Sequence, residues 1–309
     1  MAISSAWSRF GNEKSSGIWM VVLSALLFGC SGVWGKKLFI AHVTPLEVTA
    51  FRTLIATLCI LPFAFQGYGR AFRVTRSQFL FLLRLAGLYT AVQLSFYLTI
   101  SLIGVAVAIT LQYTAPLFVA IWERIAEGRP LGWRRQLAIL AGLVGCVLLT
   151  QMLDPTALRA NAAGIVSGLV SGIILAGYSL AGSGVAKRGI GGMTAPLYSF
   201  GLSAAVWVVL LPLYLRPQTH FDLEFTRQIL LIGIGATFLP FLLILYGLRK
   251  VGAFEATMIG LIEPVAGAIL AYWMFDEVLS VGQILGMALV LSAVVITTMQ
   301  PKGKGLHQG

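Results

Sequence analysis

The chain has 309 residues, 58% of them hydrophobic and 11% charged, with a mean hydropathy of +0.89 and a net charge of +11. Soluble domains carry about 25% charged residues, so this chain holds more apolar surface than a water-facing fold can hide, and lipid must solvate much of it. The basic excess forms no run interleaved with exposed aromatics, which sets nucleic acid aside and makes membrane orientation the reading of the charge.

A spanning helix needs ~20 apolar residues. On that scale the sequence predicts ten spans, at 17–39, 46–66, 78–100, 103–125, 133–152, 161–186, 193–215, 228–248, 253–275 and 281–299. The breaks between them, among them "EGRPLGWRR", "DPTALRAN", "RPQTHFDLEFTR" and "FDEVLS", are short and polar, and no soluble domain fits between them. The first span holds Cys30 and Ser31. Its "LFGC" mimics a lipoprotein cleavage box, but the apolar run continues to Lys36 with a polytopic chain behind it. Arg52 lies inside the second span. The third carries "YTAVQLSFYLT", in which Tyr89, Gln93, Phe96 and Tyr97 share one helix face. Such a stripe either packs against another helix or lines a cavity, where it stacks on and hydrogen-bonds a planar solute.

The fourth span places Gln112 and Tyr113 just before Pro116. The sixth sets Gly164, Gly168, Gly172 and Ala176 at four-residue spacing, a pattern that lets helix backbones approach closely, and it also carries Tyr178. The ninth reads "ATMIGLIEPVAGAILAYW", apolar except for Glu263 directly before Pro264. An acid at mid-span costs about 2.5 kcal/mol or more. Each proline removes the backbone bond to the residue four before it, so Pro116 and Pro264 are expected to kink their helices and free the carbonyls of Gln112 and Gly260 at membrane depth. Glu263 then has two readings. It binds a substrate ammonium or carries a proton, or it is a structural carboxylate bonded to a neighbouring helix.

Charge tests the count of spans. With a cytoplasmic N-terminus, one side collects fifteen Lys and Arg residues, including Arg70, Arg73, Arg76, Arg124, Arg129, Arg134, Arg135, Lys187 and Arg188. The other side collects five, Lys36, Lys37, Arg159, Arg216 and Arg227. This asymmetry predicts ten spans with both termini in the cytoplasm and external loops at 153–160, 216–227 and 276–280. The halves also echo each other. "IGVAVAITLQYTAPLF" (103–118) aligns with "VGAFEATMIGLIEPVA" (251–266) at an offset of 148 residues, and "GIWMVVLS" (17–24) with "GIVSGLVS" (164–171) at 147. Two five-span halves, 1–152 and 153–309, are necessarily inverted relative to each other, an arrangement that places a substrate site near midplane at the repeat interface. Catalytic and cofactor motifs are not found: His42 and His220 fall in predicted external loops and His307 in the tail, the three cysteines have no metal spacing, and no Walker motif occurs.

The runs "ALLFGCSGVWGKKLF", "PLEVTAFRTLIATL", "ERIAEGRPLGWRRQLAILAGLVGCVLL" and "LIEPVAGAILAYWMFDEVLSVGQILG" are similar to those of EamA-type members of the drug/metabolite transporter superfamily, over about residues 17 to 299. The resemblance implies an all-helical, ten-span basket with spans one, three, four, six, eight and nine around a central cavity and spans five and ten outside it. It also makes the Glu-Pro-Val run at 263–265 and the acid after span nine, here Glu277, shared features. One departure is "FDE", where a glycine before the glutamate is common; it touches only an external turn. The aromatic stripe of span three is most similar to YddG-type exporters of aromatic amino acids. The expected protein is therefore a bacterial inner-membrane secondary transporter, needing no cofactor or metal. It would export small amphipathic metabolites such as amino acids from a cavity formed by Ser31, Tyr89, Gln93, Tyr97, Gln112, Tyr113, Tyr178 and Glu263. A transporter of the same fold for organic cations, nucleosides or sugars, and a non-transporting membrane receptor or scaffold, are the alternatives.

Overall fold

The structure, a computed structural model, describes residues 13–40, 43–66, 70–103, 105–150, 162–214, 222–275 and 278–299. The loop at 153–160, the first half of that at 216–227, Glu277, the three histidines and both termini lie outside the described residues. The described residues are helical, with no strand among them. In chain order the helices are α1 (Glu13–Ile40), α2 (Pro45–Gln66), α3 (Arg76–Ile103), α4 (Val105–Gln112), α5 (Ala115–Ala126), α6 (Trp133–Leu149), α7 (Ala162–Ser183), α8 (Thr194–Tyr214), α9 (Leu223–Leu230), α10 (Leu239–Val251), α11 (Ala253–Gly260), α12 (Ile262–Phe275) and α13 (Val281–Thr298). A π-helical stretch, Leu231–Phe238, joins α9 to α10.

Among the described residues, six helical runs are by length and composition able to cross a membrane: Leu46–Gln66, Arg76–Ile103, Ala162–Ser183, Leu223–Val251, Ala253–Met274 and Val281–Thr298. Lys14–Cys30 and Thr194–Leu210 are shorter apolar helices. Of the ten spans expected from the sequence, the fourth is two short helices, α4 and α5, because the chain breaks at Tyr113 and Thr114. The loop expected at 216–227 ends earlier than its polar composition suggests. Asp222 accepts a hydrogen bond from the Phe225 amide at 2.7 Å, capping α9 and drawing Leu223 to Arg227 into a helix.

Small residues set how closely the helices cross. A Cβ on Gly145 of α6 would stand 2.8 Å from the Gly286 carbonyl of α13, and one on Gly286 would stand 2.7 Å from the Gly145 carbonyl. The two backbones therefore touch, as the absence of side chains permits. Gly142 faces Ala293 in the same seam. On α1, Gly17 lies against Lys250 and Val251 of α10. On α7, Gly164 lies against Leu102 and Ile103 of α3, and Gly168 against Leu111. The four-residue glycine stripe is a packing face, as its spacing predicts. Beyond these seams α1 packs on α10 and α12, α7 on α3, α4 and α5, and α2 on α8 and on the π-helical stretch. Trp207, Tyr89, Phe200 and Phe254 are among the largest fully buried side chains, whereas Trp19, Trp133 and Trp273 are exposed on the outer faces.

Candidate functional site

Two interrupted helices meet at the centre of the fold. Between α4 and α5 the Tyr113 amide still bonds the Ile109 carbonyl at 3.0 Å, but the Thr114 amide turns to Leu111 at 3.2 Å. Pro116 then sits in the first turn of α5, where a missing N–H leaves no bond unmade. The other pair breaks at Leu261, whose amide bonds the Met258 carbonyl at 3.2 Å, and Pro264 is the third residue of α12. The expected kinks are thus full interruptions, and each proline starts a new helix just beyond its break. The breaks are covered closely: a Cβ on Gly172 would meet the Leu111 and Gln112 carbonyls at 3.0 and 3.2 Å, and one on Gly29 would meet the Glu263 carbonyl at 2.8 Å.

The side chains at the two breaks are joined. Tyr113 Oη donates to Glu263 Oε2 at 2.5 Å, tying α4–α5 to α12. Beside them opens a cavity of about 140 Å³, against the ~10–15 Å³ that holds a single water. Of the residues predicted from the sequence, Tyr89, Gln93, Tyr97, Gln112, Tyr113, Tyr178 and Glu263 all line it. Ser31 lies on α1, and its side chain is outside the described residues. Gln112 Nε2 donates to Ser171 Oγ at 2.9 Å, linking α4 to α7. Phe241 of α10 forms the aromatic hub, 4.7 Å from the Tyr89 ring and 4.8 Å from that of Phe28 on α1.

Arg52 is the residue sequence reasoning missed. The basket expected from the resemblance left the second span out of the wall, but Arg52 reaches the cavity from α2. Only 6% exposed, it donates from Nη1 to Tyr97 Oη at 2.8 Å. The signal was the same as for Glu263, an ionisable group inside an apolar span. The cavity therefore holds a guanidinium and a carboxylate within each other's electrostatic reach, and no ion pair joins them among the described residues. Several buried polar groups gather in this region: Arg52 Nε has no hydrogen-bond partner among the described residues, the Tyr89 hydroxyl adjoins Thr53 and Gln93, and the Tyr178 hydroxyl adjoins Ser199. A second charged cluster closes the end of α5, where buried Glu123 pairs with Arg135 at 2.7 Å and Arg129 at 3.4 Å while Arg135 lies 4.4 Å over the Phe254 ring. No three His, Cys, Asp or Glu side chains gather into a metal-ligating group among the described residues.

A two-signed cavity between interrupted helices suits a solute passing through a membrane protein. The model of the EamA-like transporter family matches residues 15–151 and again 162–299. The chain belongs to the EamA-like transporter family. It is 28% identical over 295 residues to a Salmonella typhimurium protein named as an uncharacterized inner membrane transporter, YicL, covering 93% of this chain and 96% of that one. An uncharacterized transporter of Archaeoglobus fulgidus is 32% identical, covering 89% of this chain and 94% of its own length. The uncharacterized transporter YwfM of Bacillus subtilis is 25% identical over 290 residues. A solved crystal structure superposes with a TM-score of 0.77 at 16% identity, covering 91% of this chain and 96% of its own, a likeness of fold. This transporter is thus a multi-span membrane protein with a small-molecule substrate.

Proposed function

We propose that this transporter is a ten-span secondary transporter of the inner membrane that exports small amphipathic metabolites, foremost aromatic and other neutral amino acids, by alternating access through the central cavity. The observation that carries the reading is the cavity itself, which brings a carboxylate, a guanidinium and an aromatic hub together at the breaks of two helices. An amphipathic solute needs an apolar surface for its body and a few placed polar groups for its ends. Tyr89, Tyr97 and Tyr178 supply ring surface, Gln93 and Gln112 supply amides, and Glu263 supplies the charge that attracts an ammonium group. Pro116 and Pro264 begin new helices just beyond the two breaks that border the cavity.

Two inverted five-helix halves, 1–152 and 153–309, supply the moving parts. The packing supports them at the level of register. Gly17 lies against residues 250 and 251, and Gly164, which follows it by 147 positions, lies against residues 102 and 103, which precede those partners by 148. The α6–α13 seam maps onto itself in the same way, Gly145 meeting Val290 and Gly142 meeting Ala293. The family model also matches twice, once in each half. The Lys and Arg asymmetry places both termini in the cytoplasm.

Counterflow in proteoliposomes tests the function. Vesicles preloaded with unlabelled L-phenylalanine should accumulate labelled L-phenylalanine well above protein-free vesicles. A flat trace for amino acids, with accumulation of a nucleoside, sugar or organic cation instead, would move the substrate class. A flat trace for every solute would favour a receptor or scaffold. Export direction is read in cells fed a phenylalanine dipeptide, where expression should raise external phenylalanine.

A further inference from the structure

We propose that Arg52, Gln93 and Tyr89 form a carboxylate-binding subsite at the pole of the cavity opposite in charge to Glu263. Given the amino-acid reading above, on which it rests, this makes the recognised solute a zwitterion held at both ends.

Arg52 is the eighth residue of α2, a largely apolar helix with Glu47 in its first turn, and is almost fully buried. A guanidinium at that depth needs an acceptor for its charge. Among the described residues its hydrogen-bond partner is the neutral Tyr97 hydroxyl, and its Nε has none. The nearby groups have the same character. Gln93 Nε2 is a donor, and the Tyr89 and Thr53 hydroxyls are able to donate; all three are buried, and Tyr89 lies within hydrogen-bonding reach of Thr53 and Gln93, so they adjoin one another as a donor-rich set. Tyr89, Gln93 and Tyr97 descend one face of α3, so Arg52 and this face enclose the pole from two helices. Glu263 is within electrostatic reach of Arg52 but forms no ion pair with it among the described residues, so no carboxylate across the cavity is bonded to the guanidinium.

A buried guanidinium calls for acceptors around its charge, and a single neutral hydroxyl supplies only one. Here the array presents donors and leaves the acceptor to the guest. The planar fork of arginine matches a carboxylate through two parallel hydrogen bonds, which a lysine ammonium cannot reproduce. Between the poles Phe28, Phe96 and Phe241 offer apolar surface for the rest of the solute.

The test compares acids with their amides. Calorimetric titration of the full chain in nanodiscs measures L-phenylalanine against L-phenylalaninamide, and 3-phenylpropionate against 3-phenylpropanamide. The wild type should bind each acid at least tenfold tighter than its amide. Arg52→Gln should bring each pair within threefold, and Arg52→Lys should fall between. Should Arg52→Gln fail to give a monodisperse folded protein, Gln93→Leu should cut the acid preference severalfold. Equal affinity for acid and amide in the wild type, no binding of either acid, or an acid preference untouched by these variants overturns the subsite. An Arg52-dependent preference for 3-phenylpropionate without binding of L-phenylalanine keeps the subsite and rejects the amino-acid reading. Transport of L-phenylalanine that ignores loss of its carboxylate does the reverse.

Discussion

Glu263 does two things from one position: one oxygen accepts from Tyr113 and the side chain borders the cavity. Glutamine keeps the size and an acceptor for the Tyr113 hydroxyl while removing the charge. If the carboxylate holds an ammonium group, Glu263→Gln loses a charged hydrogen bond worth about 1.5–3 kcal/mol. Counterflow of L-phenylalanine should then fall at least tenfold at limiting substrate, while 3-phenylpropionate, which has no amino group, changes little. Equal losses for both solutes would make Glu263 a structural brace only. Glu263 was legible in the sequence because a lone acid in an apolar run is expensive. Arg52 was equally visible inside the second span, but the expected basket left that span out of the wall and so hid its place there. Phe28 and Phe241 gave no such signal, since aromatic residues in an apolar span become a site only when partner helices bring their rings together.

The interruptions and the crossings decide what the helices can do. The prolines announced that the fourth and ninth spans are irregular. Their spacing did not say that the chain would break outright at Tyr113–Thr114 and at Leu261, because a proline is equally at home inside a kinked helix or at the start of a new one. The π-helical stretch at Leu231–Phe238 has no signature in the residue pattern. It is held by long-range contacts, among them Gly233 against Ile55 of α2. The glycine stripe of α7 was legible, because four-residue spacing of small residues has few other uses. The α6–α13 seam yields the sharpest test at this scale. A methyl on Gly145 would meet backbone atoms of Gly286 and Val290 that cannot move aside, whereas one on Gly87 of α3 meets nothing within 4 Å. Gly145→Ala should cost about 1–3 kcal/mol by overpacking, and Gly87→Ala should be neutral or stabilising, since alanine is the better helix former by about 1 kcal/mol. Thermal unfolding in detergent reads both. Because α6 and α13 line no part of the cavity, Gly145→Ala should keep its substrate affinity. A Gly145→Ala protein as stable as the wild type would mean that the seam is not closed as described.

At the scale of the whole molecule, composition was enough for the membrane, the long apolar runs and the family resemblance gave the all-helical class, and the charge asymmetry suggested an orientation that the helix packing itself does not carry. That orientation predicts that a cysteine at Ser280, which is exposed ahead of α13, reacts with a membrane-impermeant thiol reagent from outside intact cells, and that one at Lys187 does not. The reverse pattern would turn the protein over. The internal repeat was faintly legible as two short matches, and its support in three dimensions is that equivalent glycines face equivalent partners. The central claim is that the solute occupies the cavity on its way across. Ser179 is buried on α7 and borders that cavity. The decisive measurement is counterflow by Ser179→Cys in a background with Cys30, Cys59 and Cys146 replaced, before and after a small thiol reagent, with the labelling rate followed with and without L-phenylalanine. The account predicts that labelling abolishes counterflow and that substrate slows labelling severalfold. Complete labelling that leaves counterflow intact, or a labelling rate indifferent to substrate, would contradict it.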